Sequence, residues 1–359
     1  MNIVKATRSY EQWLSGRLRL ISADLARKHR SMAECPFAFF RATFYRWAQL
    51  WTELCAPLAH APKVIGVGDL HVENFGTWRD SEGRLVWGIN DFDEAAFMPY
   101  TMDLVRLATS ARFAIRAGHL HIKATRACAS ILKGYRKGIN SGGCPVVLGE
   151  HHHWLRELAV SNLRDPSLFW AKLTALPDWK KRVPKSAIIA LERAMPVSKY
   201  RLVHRMAGIG SLGRERYAAI ADFQGGKIAR EAKALTASAY NWATGAEEAN
   251  GILYQKILDH AIRCDDPFVR LRGRWIVRRL APDCSRIELS LLPKRRNELR
   301  LLYEMGWETA NVHLGSPKTV KAIRKDLKRR PARWLEEASA AMATATKKDW
   351  KEWVDDGSS

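Results

Sequence analysis

The chain has 359 residues, 47% of them hydrophobic and 27% charged, a composition ordinary for a globular protein with a core large enough for one big domain or two lobes. Lys and Arg number 59 against 37 Asp and Glu, and the resulting net charge of +22 favours anionic partners such as nucleotides, phosphorylated ligands or nucleic acid without choosing among them. Six scattered cysteines with no CxxC pair argue against a zinc ribbon or a disulfide framework and fit a reducing cytoplasm, and no run of about 18 apolar residues or charged-then-apolar leader predicts a membrane span or signal peptide.

Residues 9 to 60 read as helices. Within FAFFRATFYRWAQLW, Phe37, Phe40, Phe44, Trp47 and Leu50 recur at three- and four-residue steps, an apolar stripe that belongs in a core. Residues 63 to 68 and 85 to 90 read as two short strands joined by the polar turn TWRDSEGR, a hairpin-like unit. From Met102 to about Lys137 the pattern is helical, and SGGCP at 141 to 145 stops it. Residues 145 to 200 alternate helix and loop and are rich in Trp, His and Pro, with a lobe boundary near MPVSKY at 195 to 200. The next stretch alternates short β-like runs with glycine turns. RWIVRRLAP at 274 to 282 is a further strand, and EEANGILYQKILDHAI is an amphipathic helix between them. From Arg295 onward the pattern returns to helix. His151-His152-His153 cannot all face one ion from a regular element, and an exposed cluster is the simpler reading; the Trp-rich 154 to 179 segment is read as packing.

One stretch carries chemistry. GVGDLHVENFG, residues 66 to 76, crowds Asp69, His71 and Asn74 behind the apolar strand Val64 to Val67, and Asp91 follows in GINDFDEAAF at a second strand end. Phosphoryl transfer needs such a set: a carboxylate to take the acceptor's proton, and an amide oxygen with a second carboxylate to hold magnesium against nucleotide phosphates. The alternative for each residue singly is a capping side chain in a polar turn.

GDLHVEN resembles the catalytic loop of aminoglycoside phosphotransferases and choline kinases, whose pattern is HGDxHxxN, with Val67 where the first His usually stands. INDFDEA resembles their metal-binding segment, and PYTMDLVRLA the helix start that follows. The resemblance implies Asp69 as catalytic base, Asn74 and Asp91 as magnesium ligands, Asp103 as a brace for the loop, and ATP with Mg2+ as the cofactors; His71 is expected to brace the loop or touch phosphate.

The glycine-rich part of such folds appears downstream here. MAGIGSLGRERYAAI sets Gly208, Gly210 and Gly213 in GxGxxG spacing with Ser211 among them, followed by a β-like run and by GGKIAREAKAL. The continuing strand favours a hairpin loop over a dinucleotide-binding turn, which would open into a helix. CPFAFFRA, GDLHVENFG, NDFDE, DLVRLATS, GIGSLG and REA, in that order, resemble the bacterial family called domain of unknown function 2252. That family's KEA lysine is replaced by Arg230, and Lys233 lies three positions on, on the opposite strand face. Both are expected to bind nucleotide phosphates. The helical ion-pair partner falls on Glu247 or Glu248, adenine-bonding backbone near Leu280 and Ala281, and His313 ends an apolar helix as a structural residue.

The implied fold is α+β and two-lobed, protein kinase-like with a circular permutation: a helical catalytic lobe over 1–198, a β-rich nucleotide lobe over 199–292, and C-terminal helices returning over 293–359. The implied function is ATP- and magnesium-dependent phosphotransfer to an unknown acceptor. A metal-dependent phosphoesterase, suggested by the Asp-x-His in GDLH, and a non-catalytic pseudokinase or nucleic-acid-binding basic protein are the alternatives.

Overall fold

The computed structural model describes residues 1–149, 152–161, 165–246, 251–284 and 297–357. It is an α+β protein in which small antiparallel sheets sit among helices. Five helices open the chain: α1 (Ile3–Ser15), α2 (Ser22–Glu34), α3 (Pro36–Ala42), α4 (Phe44–Leu54) and α5 (Ala56–Ala59). The side chain of Asn2 caps α1 by accepting from the Lys5 amide at 3.0 Å, and Pro36 opens α3, where a missing N–H costs nothing. The expected stripe is core: Phe37, Phe40, Phe44, Trp47 and Leu50 are all buried.

Strands β1 (Lys63–Gly66), β2 (Phe75–Arg79), β3 (Leu85–Ile89) and β4 (Ala96–Pro99) follow, then helices α6 (Tyr100–Arg116) and α7 (Ala124–Ser141) and the short β5 (Val146–Val147). The pairing corrects the sequence reading. The 63–68 segment does not form a hairpin with 85–90: β1 ends at Gly66 and pairs antiparallel with β4, while β3 pairs with β2. The turn between β2 and β3 is made by Asp80, whose Oδ1 accepts from the Glu82 and Arg84 amides, and by Gly83 at φ 75°. The GDLHVEN segment is therefore the connection from one sheet to another, not a strand continuing into a hairpin.

Helices α8 (His153–Ser161), α9 (Pro166–Thr174) and α10 (Lys185–Glu192) lead to a five-stranded sheet. Its strands are β6 (Arg201–His204), β7 (Arg216–Phe223), β8 (Gly226–Ala234), β9 (Arg270–Arg272) and β10 (Trp275–Leu280), in spatial order β6-β7-β8-β10-β9 and all antiparallel. Between β8 and β9 lie α11 (Ala239–Thr244) and α12 (Tyr254–His260), so the amphipathic helix expected from Glu247 begins only at Tyr254 in its described part.

The chain closes with α13 (Glu298–His313), α14 (Val320–Arg329) and α15 (Trp334–Asp355). Helix α13 crosses α7 at backbone contact, because a Cβ on Gly134 would overlap the Tyr303 carbonyl and one on Gly306 would overlap that of Ile131. Among the described residues no helix is long and apolar enough to cross a membrane.

Candidate active site

The loop after β1 is pinned by one buried carboxylate. Asp103, in the first turn of α6, accepts from the Val67 amide at 2.7 Å and the Gly68 amide at 2.8 Å. It also lies 2.9 Å from Nε2 of the fully buried His313, whose Nδ1 accepts the Tyr135 hydroxyl at 2.9 Å. His313 is thus a structural tie from α13 to the loop. Gly68 must be glycine: its φ is 82°, and a Cβ there would overlap the Glu94 carbonyl. Ser110, two turns along α6 from Asp103, takes the Val72 amide at 3.0 Å, and the Asn74 Nδ2 donates to the Asp69 carbonyl at 2.5 Å.

These bonds aim Asp69 at a cavity of about 390 Å³ that it lines. Its Oδ1 is gripped by the Arg106 guanidinium, from Nε at 3.1 Å and Nη2 at 2.5 Å, and Arg106 is fully buried over the Phe40 ring. Burial raises the Asp69 carboxyl above its ordinary value, outweighing the stabilising charge of Arg106. His71 Nδ1 accepts the Glu73 amide at 3.2 Å, and Glu73 pairs with Arg41 of α3 at 2.6 Å.

The acidic segment Asn90 to Glu94 forms the facing wall. Lys233 of β8 lies 2.5 Å from Asp93 and 3.6 Å from Asp91. Burial and the neighbouring Asp91 push Asp93 up to about 6. Asp91 is also opposed by burial, yet Lys233, Asp93 and Arg278 hold it down at about 2. Glu94 is committed elsewhere, to Arg214 at 2.7 Å, to the Ser238 hydroxyl and to the Ala239 amide.

The glycine-rich segment turns between the antiparallel β6 and β7, with Gly208 at φ 73° and Gly213 at φ 94°. It lies directly on the loop of Asp69: a Cβ on Gly210 would stand 3.0 Å from the Arg41 carbonyl and 3.4 Å from Oδ2 of Asp69. Helix α2 holds it from outside. The Ile21 amide at the head of α2 donates to the Gly213 carbonyl at 2.8 Å, and the buried Lys28 reaches the Gly210 carbonyl at 3.4 Å. Burial pulls the Lys28 ammonium down to about 8.

Asp69, His71, Asn74, Asp91, Gly208, Gly210 and Ser211 all line this one cavity, and Lys233 touches its acidic wall from beneath. Gly213 faces Leu25 of α2 instead. Arg230 stands apart and corrects the expectation that it meets phosphate. Strand alternation puts it on the face with Ala232 and Ala234, where Nε donates to the Ala194 carbonyl and the guanidinium stacks on Phe268. Leu280 and Ala281 line the cavity; Glu247, Glu248, His151 and the basic run Lys294-Arg295-Arg296 lie outside the described residues. The side chains that sequence reasoning missed are Arg106, Lys28, Arg41 and the group around Glu231.

Among the described residues no three His, Cys, Asp or Glu side chains gather as a metal set. The oxygens present fit magnesium in its usual manner, one or two carboxylates with water and phosphate completing the shell. Asp91 has 39% of its side chain open, and Asp93 Oδ1 is buried without a hydrogen-bond partner. Asn74, its Nδ2 spent on Asp69, has an amide oxygen to offer.

Residues 19–146 match the family described as "Uncharacterized protein conserved in bacteria (DUF2252)". The matched stretch runs from just before α2 to the first residue of β5 and contains the loop of Asp69, the acidic segment and the brace at Asp103; the glycine-rich turn lies beyond it. Comparison with curated proteins and with solved structures gave no match.

Proposed function

We propose that the chain is an ATP- and magnesium-dependent phosphotransferase of kinase-like architecture in circularly permuted order. On this reading residues 1–198 form the catalytic lobe, 199–292 the nucleotide lobe, and 293–359 return to the first. The observation that carries it is the convergence on one cavity of Asp69, Asp91 and a glycine turn set between antiparallel strands, with Gly210 against Asp69.

Supporting the chemistry is the environment of each group. A buried carboxyl raised above its ordinary value is a better base than a surface aspartate, and Arg106 fixes its direction. Asp69 accepts the proton of an acceptor hydroxyl. The acceptor oxygen bonds to the γ-phosphorus as the bond from that phosphorus to the β-γ bridging oxygen breaks, and ADP leaves with the electron pair. Asp91 and Asn74 would hold magnesium, which supplies neutralisation of phosphate charge when bound. Adenine would lie against the Leu280–Ala281 backbone.

The test is a thermal-shift titration with ATP and magnesium on the wild type beside Asp91→Ala. A metal-dependent rise in melting temperature that the variant loses is expected, since a ligand stabilises only the state that binds it. No rise with ATP and magnesium in the wild type overturns the reading.

A further inference from the structure

Beneath the glycine turn, one carboxylate gathers three guanidinium groups. Glu231 of β8 is fully buried. Its Oε2 accepts from Arg205 at 2.7 Å, and its Oε1 accepts from Arg216 at 2.9 Å and from Arg278 at 3.0 Å. Burial alone would disfavour the ionised acid, but the three cations hold Glu231 well below the usual carboxylate range. All three arginines reach the cavity wall.

With Lys233, Asp91 and Asp93 beside them, four cations stand against three carboxylates, a surplus of one positive charge. Packing like charges side by side in a partly buried place is costly unless an anion answers them. Glu231 is saturated and Asp91 and Asp93 are taken up chiefly by Lys233, so the remaining positive charge faces the cavity, where an anionic ligand would answer it. The guanidinium forks keep donors to spare, and Arg216 spends one on the Ser211 hydroxyl at 2.7 Å, inside the glycine turn. Arg205 reaches Oε2 from the end of β6 and Arg278 reaches Oε1 from β10, so the two approach Glu231 from opposite sides of β8. The lysine that could compete for this task, Lys233, is spent on Asp91 and Asp93, and Arg230 faces away.

We propose that Arg205, Arg216 and Arg278, gathered on Glu231, are a clamp for the polyphosphate tail of the ligand and bind it without a metal ion. That the tail belongs to a nucleotide rests on the function proposed above; the clamp itself does not.

The experiment uses the full chain in EDTA, with sodium tripolyphosphate, pyrophosphate and orthophosphate as probes, read by calorimetric titration and by melting temperature. Tripolyphosphate should bind the wild type at least tenfold more tightly than orthophosphate. Arg205→Gln with Arg278→Gln should lose at least tenfold, whereas Lys328→Gln with Arg329→Gln, which removes the same charge from the exposed side of α14, should bind as wild type. Arg278→Lys keeps the charge without the fork and should fall between, which serves if the double variant does not fold. Equal losses in the clamp and surface variants, no loss in the clamp variant, or equal binding of tripolyphosphate and orthophosphate would overturn the proposal. Because neither nucleoside nor metal is present, tripolyphosphate binding beside a failed ATP and magnesium titration leaves the clamp standing and removes only the phosphotransferase reading.

Discussion

Replacing Gly306 by alanine adds one methyl group where helices α7 and α13 touch backbone to backbone. That Cβ would overlap the Ile131 carbonyl oxygen, with the carbonyl carbon at 2.9 Å and the Tyr135 amide nitrogen at 3.0 Å. Ordinary carbon contacts lie at about 3.5–4.0 Å and the carbonyl oxygen is nearer than its carbon, so α13 must retreat by about 1 Å or more along a seam that buries Ile131, Tyr135, Leu302 and Met305. Overpacking of this kind costs about 1–3 kcal/mol and more when the obstacle is backbone, while alanine returns about 1 kcal/mol of helix propensity. Taken at the upper end because the obstacle is backbone, the expected net loss is about 2 kcal/mol. Gly134→Ala, which meets the Tyr303 carbonyl from the other side, should cost a similar amount. Once one methyl has parted the helices, the second finds space, so the double variant should cost clearly less than the sum. Urea denaturation of the four proteins measures this cycle. A Gly306→Ala protein within 1 kcal/mol of wild type, or strict additivity, would refute the close-contact account.

Asp103→Ala removes the acceptor for the Val67 and Gly68 amides and for His313; with buried donors costing about 1–3 kcal/mol each when orphaned, a loss of at least about 3 kcal/mol is expected by the same denaturation assay. Glu308 gives a pH signature. Burial raises its carboxyl to about 7 from an ordinary 4.5, so the folded state holds a proton that the unfolded state has lost across that window. Stability therefore falls as pH rises from 4.5 to 7, by about 3 kcal/mol from this group at 1.36 kcal/mol per pH unit. Glu308→Gln should flatten that part of the stability profile; parallel wild-type and variant profiles would disprove the assignment.

The motifs announced the site, but not the cross-chain partners that set its chemistry. Asp69, Asn74 and Asp91 stand out because polar groups at strand ends interrupt apolar runs. Arg106 was hidden in DLVRLATS, although Asp103, Arg106 and Ser110 recur at three- and four-residue steps on a helix whose other faces are apolar. Three polar groups on one face of a buried helix are a readable signal that something must answer them, and here the answers are the 67–72 backbone and Asp69. The hairpin is misjudged because KVIG is only four residues long, while FGTWR and LVWGI are buried at nearly every position, so the period-two alternation that fixes register is missing from the two strands that actually pair. Lys28 and Arg41 could not be found locally: nothing in α2 or α3 says that a turn 180 residues later lies across them. Strand parity did foretell that Arg230 and Lys233 face opposite ways; which face meets the acids required the sheet's neighbours.

The grip of α2 on the glycine turn changes what that turn is. The Ile21 amide holds Gly213, Lys28 reaches Gly210, and Asp24 holds His204 at 2.8 Å where β6 enters the turn. A hairpin loop in other settings flexes on its own two strands. This one is tied at its entry, middle and exit to the second helix of the chain, so widening the cavity mouth and loosening the first helices draw on a single reserve of free energy.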